Sequence, residues 1–300
     1  MKYIFIINNT AGDGKTKSKI DKMLEPYKLT AEFEIYETTA PLDATTYVRN
    51  YCNEFINDEI CFVACGGDGS INEVASGLVG SKNKYLAVIP LGSGNDFVKY
   101  YHDKNFLDID ALLHGKTEKI DLIKVNDRYL INMGHCGFEA KVASVANQVK
   151  LKGRKNAYTK GVISAILKGR FNKFEVIADG EKISKKSILI FNFANGKFAG
   201  GSYKCSPKAI NNDGLIDVVL VHSMPLLRFL TCIKKYKKGE HVDCEKLKDK
   251  IVYRKVNHLE INSNEKVELS IDGEIITDKH FSVDIIPNEI NFIVPEAKNV

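Results

Sequence analysis

No two of the seven cysteines in this 300-residue sequence are spaced C-x-x-C, and their number is odd. That argues against a zinc knuckle and against a fully paired disulfide framework. Cys61 and Cys65 stand inside the apolar stretch EICFVAC, where a thiol serves as a small hydrophobe. A reducing compartment fits this usage. No apolar run approaches the ~20 residues of a membrane-spanning helix. The sequence opens on the strand-like KYIFII, without the apolar region and cleavage site of a secretory signal. We therefore expect a cytoplasmic protein, with peripheral contact at the inner face of a membrane still open to it. Internal repeats, low-complexity tracts and proline-rich linkers are also missing. The charge excess is small: 43 Lys and Arg against 38 Asp and Glu give a net +5. That is far from a nucleic-acid-binding signature, although it favours anionic surfaces and phosphorylated ligands.

What is present describes a soluble globular chain, 44% hydrophobic and 27% charged, of a length that suits two domains. The first third alternates buried-strand runs with helical patterns: YIFII then KSKIDKMLEPY, EFEIYET then LDATTYVRNYCNEF, EICFVAC then INEVASGLV, then YLAVIPL. This is the βαβ cadence of a parallel sheet covered by helices. From about Asp121 short alternating segments take over, among them DLIKVN, SILIFNFA, LIDVVLV and VELSIDG, separated by Gly, Asn and Asp turns. They predict an antiparallel sandwich or barrel, interrupted by helical segments near 157–169 and 225–238. The fold class is thus α/β plus all-β, with a boundary at residues 122/123.

Three glycine-bearing turns follow strands in the first part. NNTAGDGKTKS, residues 8–18, ends like a Walker A loop, but the first glycine of that motif would fall on Asn9, so the motif fails. The turn can still aim backbone N–H groups at an anion, and an ordinary βα turn is the alternative. CGGDGSINEVA is sharper: Gly66, Gly67 and Gly69 permit close backbone approach, and a helix begins at Ile71. Asp68 beside a phosphate site would repel it unless a divalent cation lies between them, which suggests Mg²⁺; a simple helix cap is the alternative. IPLGSGNDFVKY repeats the pattern one βα unit later, with Gly92, Ser93, Gly94 and Asp96. Three such turns at successive strand ends would line one edge of a parallel sheet. The spacing does not fit G-x-G-x-x-G, which excludes a Rossmann dehydrogenase.

These residues resemble the diacylglycerol kinase-like lipid kinases, related to sphingosine and ceramide kinases and more distantly to NAD kinases. GGDGSINEV is similar to the family's GGDGT-x-NE, PLGSGNDF to P-x-G-T-x-ND-F/L, NMGHCGFEA to N-x-x-G-x-GFDA, SPKAINNDGLID to P-x-A-x-x-NDG-x-x-D, and LSIDGE to a late DGE motif. The resemblance runs to about residue 290. It implies an NAD kinase-like three-layer α/β nucleotide-binding domain over 1–122 and a β-sandwich lipid domain over 123–286. It also implies ATP in the cleft between the two, and a last segment, 287–300, that returns to the first domain. Nucleotide contacts carried over fall on Asn8, Asn9, Thr10, Ala11 and Gly12, on Thr39, on Gly66, Gly67, Asp68, Gly69, Ser70, Ile71 and Asn72, and on Ser93. Asn9 replaces the family's proline, and Ser70 and Ser93 replace threonines while keeping the hydroxyl. The resemblance further implies a catalytic Mg²⁺ held largely through waters by Asp68, Asp96 and Asp121. A structural cation would sit on Asp213 with the carbonyls of Ile210 and Leu215.

The alcohol acceptor of such a kinase must lose its proton to a base, and the resemblance supplies Asp272 or Glu274. Asp272, short and at an I-D-G turn, is favoured; a bare hairpin turn is the alternative. SMPLLRFLTCIKKYKKGEH pairs apolar residues with Arg228, Lys234, Lys235, Lys237 and Lys238, so it could rest on an anionic bilayer or simply pack on the sandwich with a solvated basic end. YTKGVISAILKGRF is a second candidate surface. Exposed sandwich edges could pair in a homodimer. The expected activity is an ATP- and Mg²⁺-dependent lipid kinase acting on a hydroxyl of diacylglycerol or a similar lipid. The alternatives are a soluble kinase of the NAD kinase type and a non-catalytic nucleotide- or lipid-sensing protein.

Overall fold

Four apolar runs of the first third become the parallel strands of one sheet: β1 (Lys2–Ile7), β2 (Phe33–Glu37), β3 (Ile60–Gly66) and β4 (Lys84–Pro90). In the computed structural model, which describes residues 1–27, 33–137, 174–184, 187–201 and 203–296, their order is β2-β1-β3-β4. Asn291 and Phe292, near the end of the chain, add a further parallel partner to β4. β3 is buried along its whole length, as a strand covered on both faces must be. Phe5, Ile7, Cys61, Val63 and Cys65 face one side, where Ile20 and Leu24 of α1 (Thr16–Leu24) and residues 109–113 pack on them. On the other side α3 (Asp68–Leu78) lies on β3 and β4 and contacts α2 (Asp43–Glu54). Buried Ala44, Val48 and Cys52 recur every four residues along α2, the stripe that seats an amphipathic helix. A short helix, α4 (Ile109–Leu113), completes the layers; Asp108 caps it by accepting from Ala111 N at 3.1 Å.

The chain divides into two units, Met1–Leu122 with Pro287–Val300, and Ile123–Ile286. β5 (Lys116–Val125) runs from the first into the second. The second unit continues with β6 (Arg128–Leu130), β7 (Met133–Gly137), β8 (Glu175–Ala178), β9 (Glu181–Lys182), β10 (Ile188–Ala194), β11 (Ile216–His222), β12 (Ile251–Val256), β13 (His258–Ile271) and the part of β14 (Glu274–Val294) up to Ile286, beyond which β14 belongs to the first unit. Its antiparallel ladder is ordered β12-β11-β10-β7-β13-β14, with β8 and β9 on the side of β13. β10 and β11 are buried throughout. Phe191, Phe193, Val218 and Leu220 enter the sandwich core, whereas Ile190, Val219 and Val221 meet Phe229 and Tyr236 of a helix, α5 (Leu226–Lys238). α5 is therefore a packed helix. Its basic end is solvated at Lys234, Lys235, Lys237 and Lys238, and Gly239 closes it in the left-handed conformation. The segment expected to be helical near 157–169, together with YTKGVISAILKGRF, lies outside the described residues.

The thiols follow the sequence reading. Cys61 and Cys65 are fully enclosed on β3, and burial pushes both thiol pKa values up. Cys136 and Cys205 are buried in the second unit.

Candidate active site

The parallel strands bring their C-terminal ends to one edge, and the turns beyond them interlock. Asn8 Nδ2 donates to Ser70 Oγ at 3.2 Å, joining the turn after β1 to the first turn of α3. Leu91 N and Gly92 N both donate to Gly66 O, at 2.8 and 3.0 Å. A Cβ on Gly92 would lie 2.3 Å from Gly67 Cα, so the second and third turns touch backbone to backbone. Gly12, at φ +59°, faces Leu91 O so closely that a Cβ there would sit 2.2 Å from it. Thr38 N donates to Ile7 O at 2.9 Å, and Thr39 N and Oγ1 donate to Asp43 at 2.7 and 2.9 Å, seating the turn after β2 beside the turn after β1.

The individual residues divide by role. Thr10 N and Oγ1 donate to Asn8 Oδ1, and Ala11 N donates to Asn8 O, which shapes the first turn. Asn9 does what its proline counterpart could not: its Nδ2 donates to Glu37 at 2.6 Å and its Oδ1 accepts from Lys17 N at 3.0 Å. Gly67 caps α3 without a side-chain cap bond, leaving backbone amides of that first turn for an anion. Gly69 and Ser93 are exposed, Ser70 and Asn72 are buried, and Ile71 belongs to the core. Asn95, at φ +53°, shapes the third turn through Gly92 N, Gly92 O and Pro90 O.

Asp68 and Asp96 come together over Gly94. A Cβ on that glycine would meet Asp68 Oδ2 at 2.9 Å and Asp96 Oδ2 at 3.5 Å, so only glycine leaves this space open. Asp68 Oδ1 accepts from Phe97 N at 3.0 Å, and Lys99 Nζ holds the other Asp96 oxygen at 2.6 Å. Burial raises the Asp68 carboxyl pKa above its ordinary value, against the pull of the Phe97 N–H, and the Asp96 charge pushes the same way. Such a pair is suited to a hard cation. Asp121 is fully buried on β5, with Oδ1 accepting from Asn288 N at 2.7 Å. Among the described residues no three His, Cys, Asp or Glu side chains converge to ligate a metal directly.

In the second unit Asp272 and Gly273 form a two-residue turn between β13 and β14, with φ of 45° and 92°. Asp-Gly with both φ positive is the type I′ hairpin pattern. The carboxylate has a second task. Its Oδ2 accepts from Ile131 N at 2.8 Å and Asn132 N at 3.2 Å, and its Oδ1 from Met133 N at 2.8 Å. Glu274 is exposed and lies 3.3 Å from Arg128. Asn132 then links this turn to the glycine-containing segment 195–201. Its carbonyl accepts from Asn195 N and Gly196 N, its Nδ2 donates to Phe198 O at 3.1 Å, and its Oδ1 would lie 2.0 Å from a Cβ on Gly196. Asn95, Lys99, Asn132 and Gly196 were not singled out from the sequence as site residues, although Asn95 and Asn132 stand within the quoted motifs.

At the position expected for a structural cation, Asp213 Oδ1 accepts from Leu215 N at 3.2 Å and Oδ2 is ion-paired with Lys255 Nζ. Lys255 also lies 3.2 Å from Asp217 Oδ2, and Ile210 is exposed. This arrangement does not fit a cation held by Asp213 with the carbonyls of Ile210 and Leu215, since the ammonium already takes the carboxylate. A cavity of about 520 Å³ opens elsewhere in the unit, lined by residues that include Phe174, Ser184, Asn262, Lys279 and His280; none of the expected site residues lines it.

Two family models match the sequence: the diacylglycerol kinase catalytic domain over residues 2–125 and the YegS C-terminal NAD kinase beta sandwich-like domain over 133–294. The chain belongs to the diacylglycerol kinase family of lipid kinases. Among this lipid kinase's relatives is the "Diacylglycerol kinase" of Bacillus subtilis (strain 168), 29% identical over 276 residues, covering 90% of this chain and 88% of that protein. The "Probable lipid kinase YegS-like" of Yersinia enterocolitica serotype O:8 / biotype 1B is 30% identical over 246 residues, 78% of each chain. A crystal structure of a diacylglycerol kinase from Bacillus anthracis str. Sterne superposes with a TM-score of 0.71 at 19% identity, over 98% of this chain and 96% of that one. It has the same fold. In this family member the interlocked turns fall within the catalytic-domain match, and Asp272 and Glu274 within the C-terminal match.

Proposed function

We propose that this lipid kinase transfers the γ-phosphate of ATP to a hydroxyl of diacylglycerol or a similar lipid. One observation carries the reading: the turns after β1, β3 and β4 interlock at one sheet edge, with Asp68 and Asp96 sharing the space over Gly94. Backbone amides of the turns at Asn8–Gly12, Gly66–Asn72 and Ser93, with Thr39 beside them, bind the nucleotide, and the amides at the start of α3 face its charge. Asp68 and Asp96 would hold Mg²⁺ through an outer shell of water that Asp121 helps to order. When bound, Mg²⁺ supplies neutralisation of the negative charge on the phosphate oxygens. Lys99 fixes one Asp96 oxygen and so orients the other toward Asp68.

Asp272 accepts the proton of the acceptor hydroxyl as its oxygen forms the new bond to phosphorus and the bond to the ADP oxygen breaks. Three backbone amides hold the carboxylate in place, and the loose transition state of phosphoryl transfer asks for position more than for base strength. Glu274 is the alternative base, with its charge tied to Arg128. The solvated lysines at the end of α5 support contact with an anionic bilayer, about 1 kcal/mol for each residue near the surface. Edge strand β12, which pairs with β11 in the described ladder, supports pairing in a homodimer.

The test is a phosphorylation assay on the purified chain with ATP, Mg²⁺ and mixed micelles containing diacylglycerol or ceramide, with NAD in a parallel reaction. Label in the lipid extract that depends on both ATP and Mg²⁺ is expected. Label on NAD alone would overturn the reading, and ATP binding without turnover on any acceptor would point to a sensor.

A further inference from the structure

A carboxylate that holds a divalent cation must turn an oxygen to it, and nearby carbonyls must be able to turn likewise. Asp213 already has a partner on each oxygen, Leu215 N on Oδ1 and the Lys255 ammonium on Oδ2, and the ammonium stands where a cation would meet the carboxylate. Lys255 is placed there by the ladder, not by a flexible reach. It is the register partner of Asp217 across the β11–β12 pair, so the two side chains stand on the same face. Asp217 is completely buried and also accepts a hydrogen bond from Tyr253, two residues before Lys255 and on that same face. Lys255 is 26% exposed and Asp213 23%, so the ammonium bridges one enclosed and one half-buried carboxylate. Two negative charges thus receive one fixed positive charge from within the chain. A dication on Asp213 would have to approach against that ammonium or displace it and leave it unpaired.

We infer that Lys255 stands in for a structural cation in this protein, so that the Asp213 turn is closed by an internal ion pair and the second unit needs no divalent metal for its stability. This goes beyond the phosphoryl-transfer reading and does not rest on it. Removing the ammonium should uncover the site, because Asp213 and Asp217 would then lose the charge that bridges them and keep only the Coulombic pull of Lys197 on Asp217.

The experiment follows thermal unfolding of the full chain, without nucleotide, first in chelator and then across millimolar Mg²⁺ and Ca²⁺. Four proteins are compared: wild type, Asp213→Asn, Lys255→Met, and the double variant. Any ion bound at Asp68 and Asp96 contributes equally to all four. Wild type and Asp213→Asn should therefore respond to the ions alike. Lys255→Met should melt lower in chelator and regain about 3–6 °C in Ca²⁺ or Mg²⁺, a gain that the double variant lacks. The inference is overturned by an ion-dependent rise in wild type that exceeds that of Asp213→Asn by about 3 °C or more, or by no gain in Lys255→Met over the double variant. If Lys255→Met does not fold, Mn²⁺ stoichiometry decides: equal numbers in wild type and Asp213→Asn support it, and one extra ion in wild type overturns it.

Discussion

The two units build their parts of the kinase from different materials. In the first, the turns at the candidate nucleotide site touch backbone against backbone: Gly66 O with Leu91 N and Gly92 N, Gly67 against Gly92, Gly12 against Leu91 O. In the second, a single side chain, Asp272, gathers three amides from residues about 140 positions away in the chain. Contacts between backbone atoms do not depend on which side chain is present, as at exposed Ser93, whereas the clasp depends on the one carboxylate that accepts all three amides.

Breaking the second unit's clasp should produce the largest effect. Asp272→Asn puts an N–H donor where an oxygen meets amide donors, and it removes the base. Turnover should fall about 10²–10⁴-fold while ATP affinity, a property of the other unit, stays near wild type in a binding titration. Wild-type-like rates in that variant would remove Asp272 from the chemistry and turn attention to Glu274. Next, Gly92→Ala would drive a Cβ to 2.3 Å from Gly67 Cα, a backbone atom that cannot step aside. We expect ATP affinity to drop at least about tenfold and stability to fall by about 1–3 kcal/mol, both measurable by calorimetry. Unchanged nucleotide binding would mean that the touching turns are scaffold only.

Asp68→Asn sharpens the comparison from the other direction, because it should cost activity and add stability. The folded-state pKa of Asp68 is raised, so its ionised form is disfavoured by folding. Its stability penalty is absent below the unfolded value, grows as pH rises through the folded value, and is complete above it. At neutral pH without Mg²⁺ or nucleotide, Asp68→Asn should melt about 1–4 °C above wild type, yet turn over ATP poorly. A melting point below wild type would contradict the desolvation argument.

The smallest effect belongs to His258, 2.7 Å from Asp284 on neighbouring β14, whose hydrogen bond and, less strongly, charge raise the histidine pKa. The stability it adds is fully present below the unfolded value and is lost as pH rises through the folded one. Denaturant titrations should show wild type exceeding His258→Asn by under about 1 kcal/mol at pH 5.5, with the gap closing toward pH 8. A gap that widens with pH would reverse the sign.

How far the sequence reveals all this depends on separation along the chain. The three glycine turns could be read because each is contiguous and each follows an apolar run, so that the βα cadence alone predicts their meeting at one edge. The helix at Leu226–Lys238 could be found from its composition. That it packs on the sandwich with a solvated basic end was one of its two sequence readings, but the strands that receive Phe229 and Tyr236 are defined only once β7, β10 and β11 assemble. Asp272 was visible as a D-G turn, whereas its hold on Ile131, Asn132 and Met133 depends on a register no local pattern encodes. The Lys255 pairing was hidden for the same reason. A lysine 42 residues beyond Asp213 meets it only through the alignment of β11 with β12. The expectation of a metal there came from the resemblance of SPKAINNDGLID to a family motif, and a local motif is blind to that partner.

Cys61 and Cys65, enclosed in the middle of the first unit's sheet, have one more use. Neither sulfur can meet a thiol reagent until β3 opens, while Cys136 and Cys205 keep the same silence for the second unit. The chain therefore carries a built-in clock for each half. Under native conditions, the rate at which each thiol is alkylated reads out how often its own half breathes, and a ligand that quiets only the first pair declares which half it grips.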